Sequence, residues 1–293
     1  MKGFECQSYG KWILSGEHTV LRGGEALVFP LYDHRMKFQF LPAEKDLDVQ
    51  FEGERGKELS LVFYGLLEDA LKRIGKSRSD LSGKLIIDSS LRLGAGMGAS
   101  AALCVGVTQL FNSLGWVKDD DQYEFSRSLE DLFHGESSGV DIAVSLEGKP
   151  LKFKKGGDRH ELAMNWKPYW YISYCGQRGS TAECVKKVKT LWEQNPRLGE
   201  KLDAVMNEAT ETAKSALATN QEEGLPLLAK SMDLARSAFN QWGLCEGRLG
   251  EHMKTLQKQG ALAVKPTGSG GGGYVISLWE NKQDNPELMP LNQ

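Results

Sequence analysis

The chain has 293 residues, 40% hydrophobic and 26% charged: room for one large or two modest domains, and a composition that excludes disorder as the main state. Lys and Arg number 36 against 39 Asp and Glu, a net charge of -3, so there is no overall basic field for a nucleic acid. Five widely spaced cysteines without a C-x-x-C pair argue against a disulfide framework or zinc knuckle and for reduced thiols in the cytoplasm.

The first residues lack an apolar signal core, and no export signal is expected. Met36, Phe38 and Phe40, then Leu47, Val49 and Phe51, alternate with polar neighbours and predict strands. Leu59, Phe63, Leu66, Leu67, Ala70 and Leu71 follow helical spacing up to Gly75, and Leu85-Ile86-Ile87 predicts another strand. The uncharged stretch 93–117 reads as a buried helix starting near Ala99, with Gly115 beyond its end, rather than a membrane span, because glycines, Thr108, Gln109, Asn112 and Ser113 interrupt it. A helix over about 121–133 follows, introduced by the solvated acids Asp119, Asp120 and Asp121, and then a small-residue loop returning to a strand that starts at Asp141. Residues 154–158 read as a turn or linker, which divides the chain into domains 1–158 and 159–293. Beyond it the pattern predicts a strand at 169–175, amphipathic helices over 181–259 broken at Asn195-Pro196, Asn220 and Gly243, strands at 261–264 and 274–279, and a loosely held polar tail from 281. Strands in runs and helices in runs make the class α+β.

Thirty-three glycines exceed the roughly 7% average usage and gather in two places. Gly94-Ala95-Gly96-Met97-Gly98-Ala99-Ser100-Ala101-Ala102 lies between a predicted strand and a predicted helix, where backbone N–H groups point at an incoming anion. It nearly satisfies the dinucleotide fingerprint G-x-G-x-x-[GA], but no clean βαβ unit surrounds it, and it lacks the lysine of a Walker A loop. The second cluster, Lys265-Pro266-Thr267-Gly268-Ser269-Gly270-Gly271-Gly272-Gly273, precedes a strand; six glycines there cost backbone entropy that favours close packing on a ligand or neighbouring loop. Two further segments carry chemistry-bearing residues: Gly10-Lys11 through Glu17-His18-Thr19-Val20, and Phe133-His134-Gly135 through Ser138-Gly139-Val140-Asp141. Taken singly, His18 reads as a structural histidine, Glu130 as an exposed helix charge and Asp141 as a cap.

Together the four segments, in this order, resemble the GHMP kinases and within them the mevalonate branch: G-K-x-I-L-x-G-E-H-x-V at 10–20, G-x-G-x-G-x-S-A-A at 94–102, H-G-x-x-S-G-x-D at 134–141 and K-x-T-G-x-G-G-G-G at 265–273. Arg178-Gly179-Ser180-Thr181 is similar to that branch's substrate-side segment. Departures fall at Ser8-Tyr9, Met97, Ala99, Ser137 and Tyr274, which bear on the pocket walls more than on the phosphate chemistry.

The resemblance implies a two-domain fold, a ribosomal protein S5 domain 2-like half and a ferredoxin-like half, with the active site in the cleft between them. It implies ATP cradled by Gly94, Gly96, Met97, Gly98, Ala99, Ser100 and Ala101, Mg²⁺ held by Ser100 and Glu130, and Asp141 with Lys11 as the catalytic pair. Glu17, His18, Thr181, Gly268, Gly270 and Gly271 would serve the acceptor. The implied reaction moves the γ-phosphoryl group to the primary hydroxyl of mevalonate; a sugar, homoserine or phosphomevalonate is the alternative acceptor. A nucleotide-binding regulator without catalysis and a dinucleotide-dependent oxidoreductase are the competing classes. The partner expected is a small molecule, neither nucleic acid nor membrane, and a homodimer is left open.

Overall fold

The computed structural model describes every residue except 1–2, 54–55, 95, 134–136 and 292–293. The chain divides into two compact units, Met1–Lys11 with Pro30–Lys149, and Trp12–Phe29 with Pro150–Gln293. This differs in two ways from the expected division at Asp158. Residues 155–158 turn a hairpin inside the second unit, and 12–29 belong to that unit as well. Trp12 stacks on Phe29 at 4.2 Å and both meet Trp170 edge-on, a long-range aromatic contact that a linear reading of composition does not contain.

Two strands, β1 (Phe4–Ser15) and β2 (Glu25–Asp46), contribute residues to both units. In the first unit the later part of β2 pairs antiparallel with β4 (Ser82–Ser89), setting Phe38 opposite Ile87 and Phe40 opposite Leu85. The predicted alternation is realised as burial of Met36, Phe38, Phe40, Leu85 and Ile87. Next to β4 lies β3 (Asp48–Glu52), parallel to it and joined through α1 (Gly56–Arg73), which buries Leu59, Phe63, Leu66, Leu67, Ala70 and Leu71 on one stripe. A βαβ crossover therefore precedes the first glycine loop, which the sequence reading did not include. None follows it, since the next strand, β5 (Leu151–Lys154), pairs antiparallel with β2.

The uncharged stretch becomes α2 (Ala99–Ser113), buried continuously from Ala101 to Thr108, and α3 (Gln122–Glu130) and α4 (Val140–Glu147) pack on it. The strand expected at Asp141 is thus a helix. Short apolar runs such as Ile142-Ala143-Val144 do not distinguish a strand from a buried helix, and here Gly139 decides. It caps α4 at φ 80°, and a Cβ on it would meet the Tyr123 Oη at 2.2 Å.

In the second unit β5 forms a hairpin with β6 (Arg159–Glu161). An antiparallel sheet is built in the order β10 (Met289–Pro290), β7 (Tyr169–Tyr174), β9 (Tyr274–Trp279) and β8 (Ala263–Pro266). Helices α5 (Thr181–Gln194), α6 (Pro196–Ala218), α7 (Gln221–Gln241) and α8 (Arg248–Lys258) break where the sequence predicts. Ser180, Asn195 and Asn220 each accept a hydrogen bond from an amide three residues on, and Pro196 occupies a first-turn position where its missing N–H costs nothing. Their inner faces bring Leu202, Met206, Ala235, Phe239 and Trp242 against Val264 and Val275. The tail is held more firmly than expected: β10 pairs with β7, and Leu288 and Leu291 are buried, so two apolar positions suffice to dock a polar segment. Among the described residues no helix is long and apolar enough to cross a membrane.

Candidate active site

In the first unit, the chain leaving β4 turns through Gly94, Gly96 and Gly98, all at positive φ, before entering α2. Gly98 is required on two grounds: its φ is 78°, and a Cβ there would lie 2.9 Å from Cγ of Lys11. The first intrahelical bond of α2 runs from the Ala102 amide to the Gly98 carbonyl, so the amides of Ala99, Ser100 and Ala101 precede the ladder at the positive end of the helix dipole. Such an end, behind a glycine turn, is suited to a phosphate chain. Ala95 lies outside the described residues. Met97, a departure from the family pattern, is buried, and its carbonyl accepts the Lys11 amide at 2.8 Å, tying the loop to the first motif.

The Lys11 ammonium stands 3.2 Å from the Asp141 carboxylate. Asp141 is the second residue of α4, where the helix dipole favours a negative side chain. His134, Gly135 and Glu136, which open this motif, lie outside the described residues. Glu130 closes α3 and is 2% exposed. Burial first, and then the negative charge of Asp141, push its carboxyl from 4.5 up to about 7, against the opposing pull of Ser137 and Lys11. Ser137 Oγ donates to Glu130 Oε2 and accepts the Gly139 amide at 3.0 Å, linking the end of α3 to the start of α4.

A divalent cation fits this donor set. The hard oxygens of the buried Glu130 carboxyl lie close enough to Asp141 to feel its negative charge, and Ser100 adds a hydroxyl-bearing residue on the first turn of α2. Among the described residues no three His, Cys, Asp or Glu side chains enclose an ion by themselves, so a cation here would complete its shell from water and phosphate, as Mg²⁺ commonly does.

The second unit holds the other expected residues. Glu17 and His18 follow β1, and His18 Nε2 meets the Ser269 carbonyl at 2.9 Å. A carbonyl only accepts, so Nε2 carries the proton and Nδ1 is the acceptor of the neutral ring. Burial pushes the imidazole down to about 4, which keeps it neutral near pH 7. Thr181 begins α5, and its hydroxyl lies 3.3 Å from that of Ser269. Gly268, Gly270 and Gly271 flank Ser269. The glycine cluster packs on neighbouring backbone as its composition suggested, the Gly271 amide on the Leu244 carbonyl and the Gly273 amide on that of Gln177. A cavity of about 430 Å³ adjoins it, lined by Ser180, Glu183, Cys184, Lys187, Leu244 and Gly271 among others.

The structure thus gathers Lys11, Asp141 and Glu130 in one unit, and Glu17, His18, Thr181 and the 268–271 loop in the other. Two further residues join these groups: the sequence marks Ser137 only as a departure and Lys265 only as the first letter of a motif, whereas in the structure Ser137 meets Glu130 and Lys265 meets Glu17. The sequence carries no signal for Lys265, because the expected strand ends at 264; the structure shifts it to Ala263–Pro266, fully buried, where a lysine needs a buried partner.

Residues 62–149 match the family model described as the GHMP kinases N terminal domain. The mevalonate kinase of Pyrococcus horikoshii is 29% identical over 302 residues, covering 93% of this chain and 88% of the relative. That of Archaeoglobus fulgidus is 28% identical over 277 residues, covering 94% and 92%. In structure, the mevalonate kinase of L. major, solved in complex with R-mevalonate, superposes with a TM-score of 0.77 at 24% identity, covering 95% of this chain and 87% of that one, which speaks for the α+β fold. By four ordered motifs, a family model matching 62–149 and likeness along nearly the whole length, this chain is similar to the GHMP kinases and, among them, to proteins named mevalonate kinase.

Proposed function

We propose that the protein is an ATP-dependent kinase that transfers the γ-phosphoryl group to the primary hydroxyl of mevalonate, giving 5-phosphomevalonate for isoprenoid precursor synthesis. The observation that carries this reading is the Lys11–Asp141 pair beside the Gly94–Gly98 turn, in a chain whose relatives bear the name mevalonate kinase.

Phosphoryl transfer asks the protein for positioning and charge neutralisation rather than covalent chemistry. The amides of 99–101 and the open turn at Gly94 and Gly96 cradle the triphosphate. Asp141 accepts the proton of the acceptor hydroxyl, and Lys11, fixed through its own amide to Met97, stabilises negative charge as it develops on that oxygen. Ser100 and Glu130 would hold Mg²⁺, with Ser137 orienting the Glu130 carboxylate. When bound, the ion neutralises phosphate oxygens. Glu17, the neutral His18 and Thr181 serve the remaining groups of the acceptor, with Gly268, Gly270 and Gly271 as the adjoining backbone. A cytoplasmic setting belongs to the same reading, supported by five free thiols.

A coupled ADP-release assay with mevalonate, phosphomevalonate, homoserine and a sugar tests the proposal. Turnover with mevalonate at least about tenfold above the others in kcat/KM is expected. A different preferred alcohol overturns the substrate, and no ADP release with any of them overturns the activity.

A further inference from the structure

Glu17, His18 and Thr19 form a three-residue turn in which the Thr19 amide donates to the Glu17 carbonyl at 2.7 Å, with His18 at φ 62° and ψ -43°. This is the rare, strained form of the γ-turn, and His18 is the only non-glycine residue at positive φ among the described residues. Strain of this kind persists only where the surroundings over-determine it. Three alternate residues of the segment 265–273 supply those surroundings. Lys265 Nζ donates to Glu17 Oε1 at 2.5 Å and to the Ile13 carbonyl at 3.2 Å. Thr267 Oγ1 accepts the Ile13 amide at 2.8 Å and donates to the Ile13 carbonyl at 3.1 Å. The Ser269 carbonyl receives His18.

Lys265 is the member of this clamp that stability alone explains least. Its side chain is fully buried and that of Glu17 is 2% exposed. Desolvating such a pair offsets most of its attraction, so an apolar pair of similar volume would hold the fold as well. The lysine also lies over the face of Phe239, 5.5 Å from the ring centre, and Phe239 and Trp242 pack edge-on against the His18 imidazole. It thus touches Glu17 directly and the wall behind His18.

We propose that Lys265 is a positioning residue for the acceptor side: it fixes the Glu17 carboxylate and, through it, the strained His18 turn, so that this part of the wall keeps the one shape a hydroxyl-bearing substrate requires. The inference rests on the reading above that Glu17 and His18 serve the acceptor.

The test compares Lys265→Met, Glu17→Gln and the double variant with the wild type. The double variant is included because removing only the ammonium strands a buried carboxylate. Lys265→Met raises the KM for mevalonate by about tenfold or more while the KM for ATP stays within about twofold, and on the Glu17→Gln background it adds nothing further. A purely structural lysine would alter both KM values together, or cost the same factor in both backgrounds, and either result overturns the proposal, as does an unchanged mevalonate KM. Histidine NMR of the unliganded full chain supplies a substrate-independent arm. His18 stays neutral between about pH 5 and 8 in the wild type and begins to titrate in the Lys265→Met and double variants as its seat loosens. An identical His18 titration in all of them overturns the proposal. A wild type inactive on mevalonate refutes the substrate instead, and the NMR arm then decides the role of Lys265.

Discussion

Lys11–Asp141 and Lys265–Glu17 are the same ion pair in two environments. In the first the side chains are 8% and 25% exposed and stand 3.2 Å apart; in the second they are 0% and 2% exposed and 2.5 Å apart. An aspartate with a quarter of its side chain open can meet a ligand and exchange a proton. A glutamate sealed against its lysine cannot lose that partner without leaving an uncompensated charge. Residue type is therefore a poor guide to role, and burial separates the pair suited to chemistry from the pair suited to holding a shape.

The sharpest way to break this contrast is Asp141→Ala. A reduction in kcat of about 10²–10⁴ is expected with ATP affinity retained, measured by steady-state kinetics and nucleotide titration; near-normal turnover removes the assigned role. Next come the two lysines compared in chemical denaturation. Lys265→Met should cost about 3–5 kcal/mol, because it strands Glu17, whereas Lys11→Met, beside a partly open aspartate, should cost about 1 kcal/mol or less while abolishing most turnover. Equal losses of stability would erase the distinction.

Glu130 gives the comparison a pH axis. Asp141 and Asp131 face it with negative charge, and Lys11 and Ser137 oppose them. The folded chain holds its proton up to about 7 and the unfolded chain only to 4.5, so stability falls as pH rises through that window, in all by on the order of 3 kcal/mol. Glu130→Gln should flatten the slope in melts recorded without divalent cations; an unchanged slope would mean that another group titrates. The smallest effect is expected at Arg22–Asp203, a bidentate pair with side chains 27% and 16% exposed. There Arg22→Ala should cost about 1 kcal/mol or less, since solvent already screens both charges, and a larger loss in the same denaturation series would show that partial exposure is no measure of weakness.

Much of this was legible along the chain. The helices of the second unit end at Asn195, Asn220 and Gly243 because caps and breakers act locally, through bonds to amides three residues away. Lys11, Ser100 and Asp141 could be singled out because the motifs carrying them are short and ordered. The helix at Asp141 was not legible, since Gly139 is needed there by the hydroxyl of Tyr123, sixteen positions earlier. Nor was the grouping of 12–29 with the second unit, which rests on Trp12 meeting Phe29 and Trp170.

By itself the sequence determined most of the local elements and the glycine turns, because these depend on neighbours within a few residues. Tertiary structure alone decided which lysine stays open beside a carboxylate and which is sealed, that Glu130 is buried next to Asp141, and that His18 is held in a strained turn. Those properties arise from exclusion of water and from charges brought together across as many as 248 positions of chain, and neither is written in the spacing of residues.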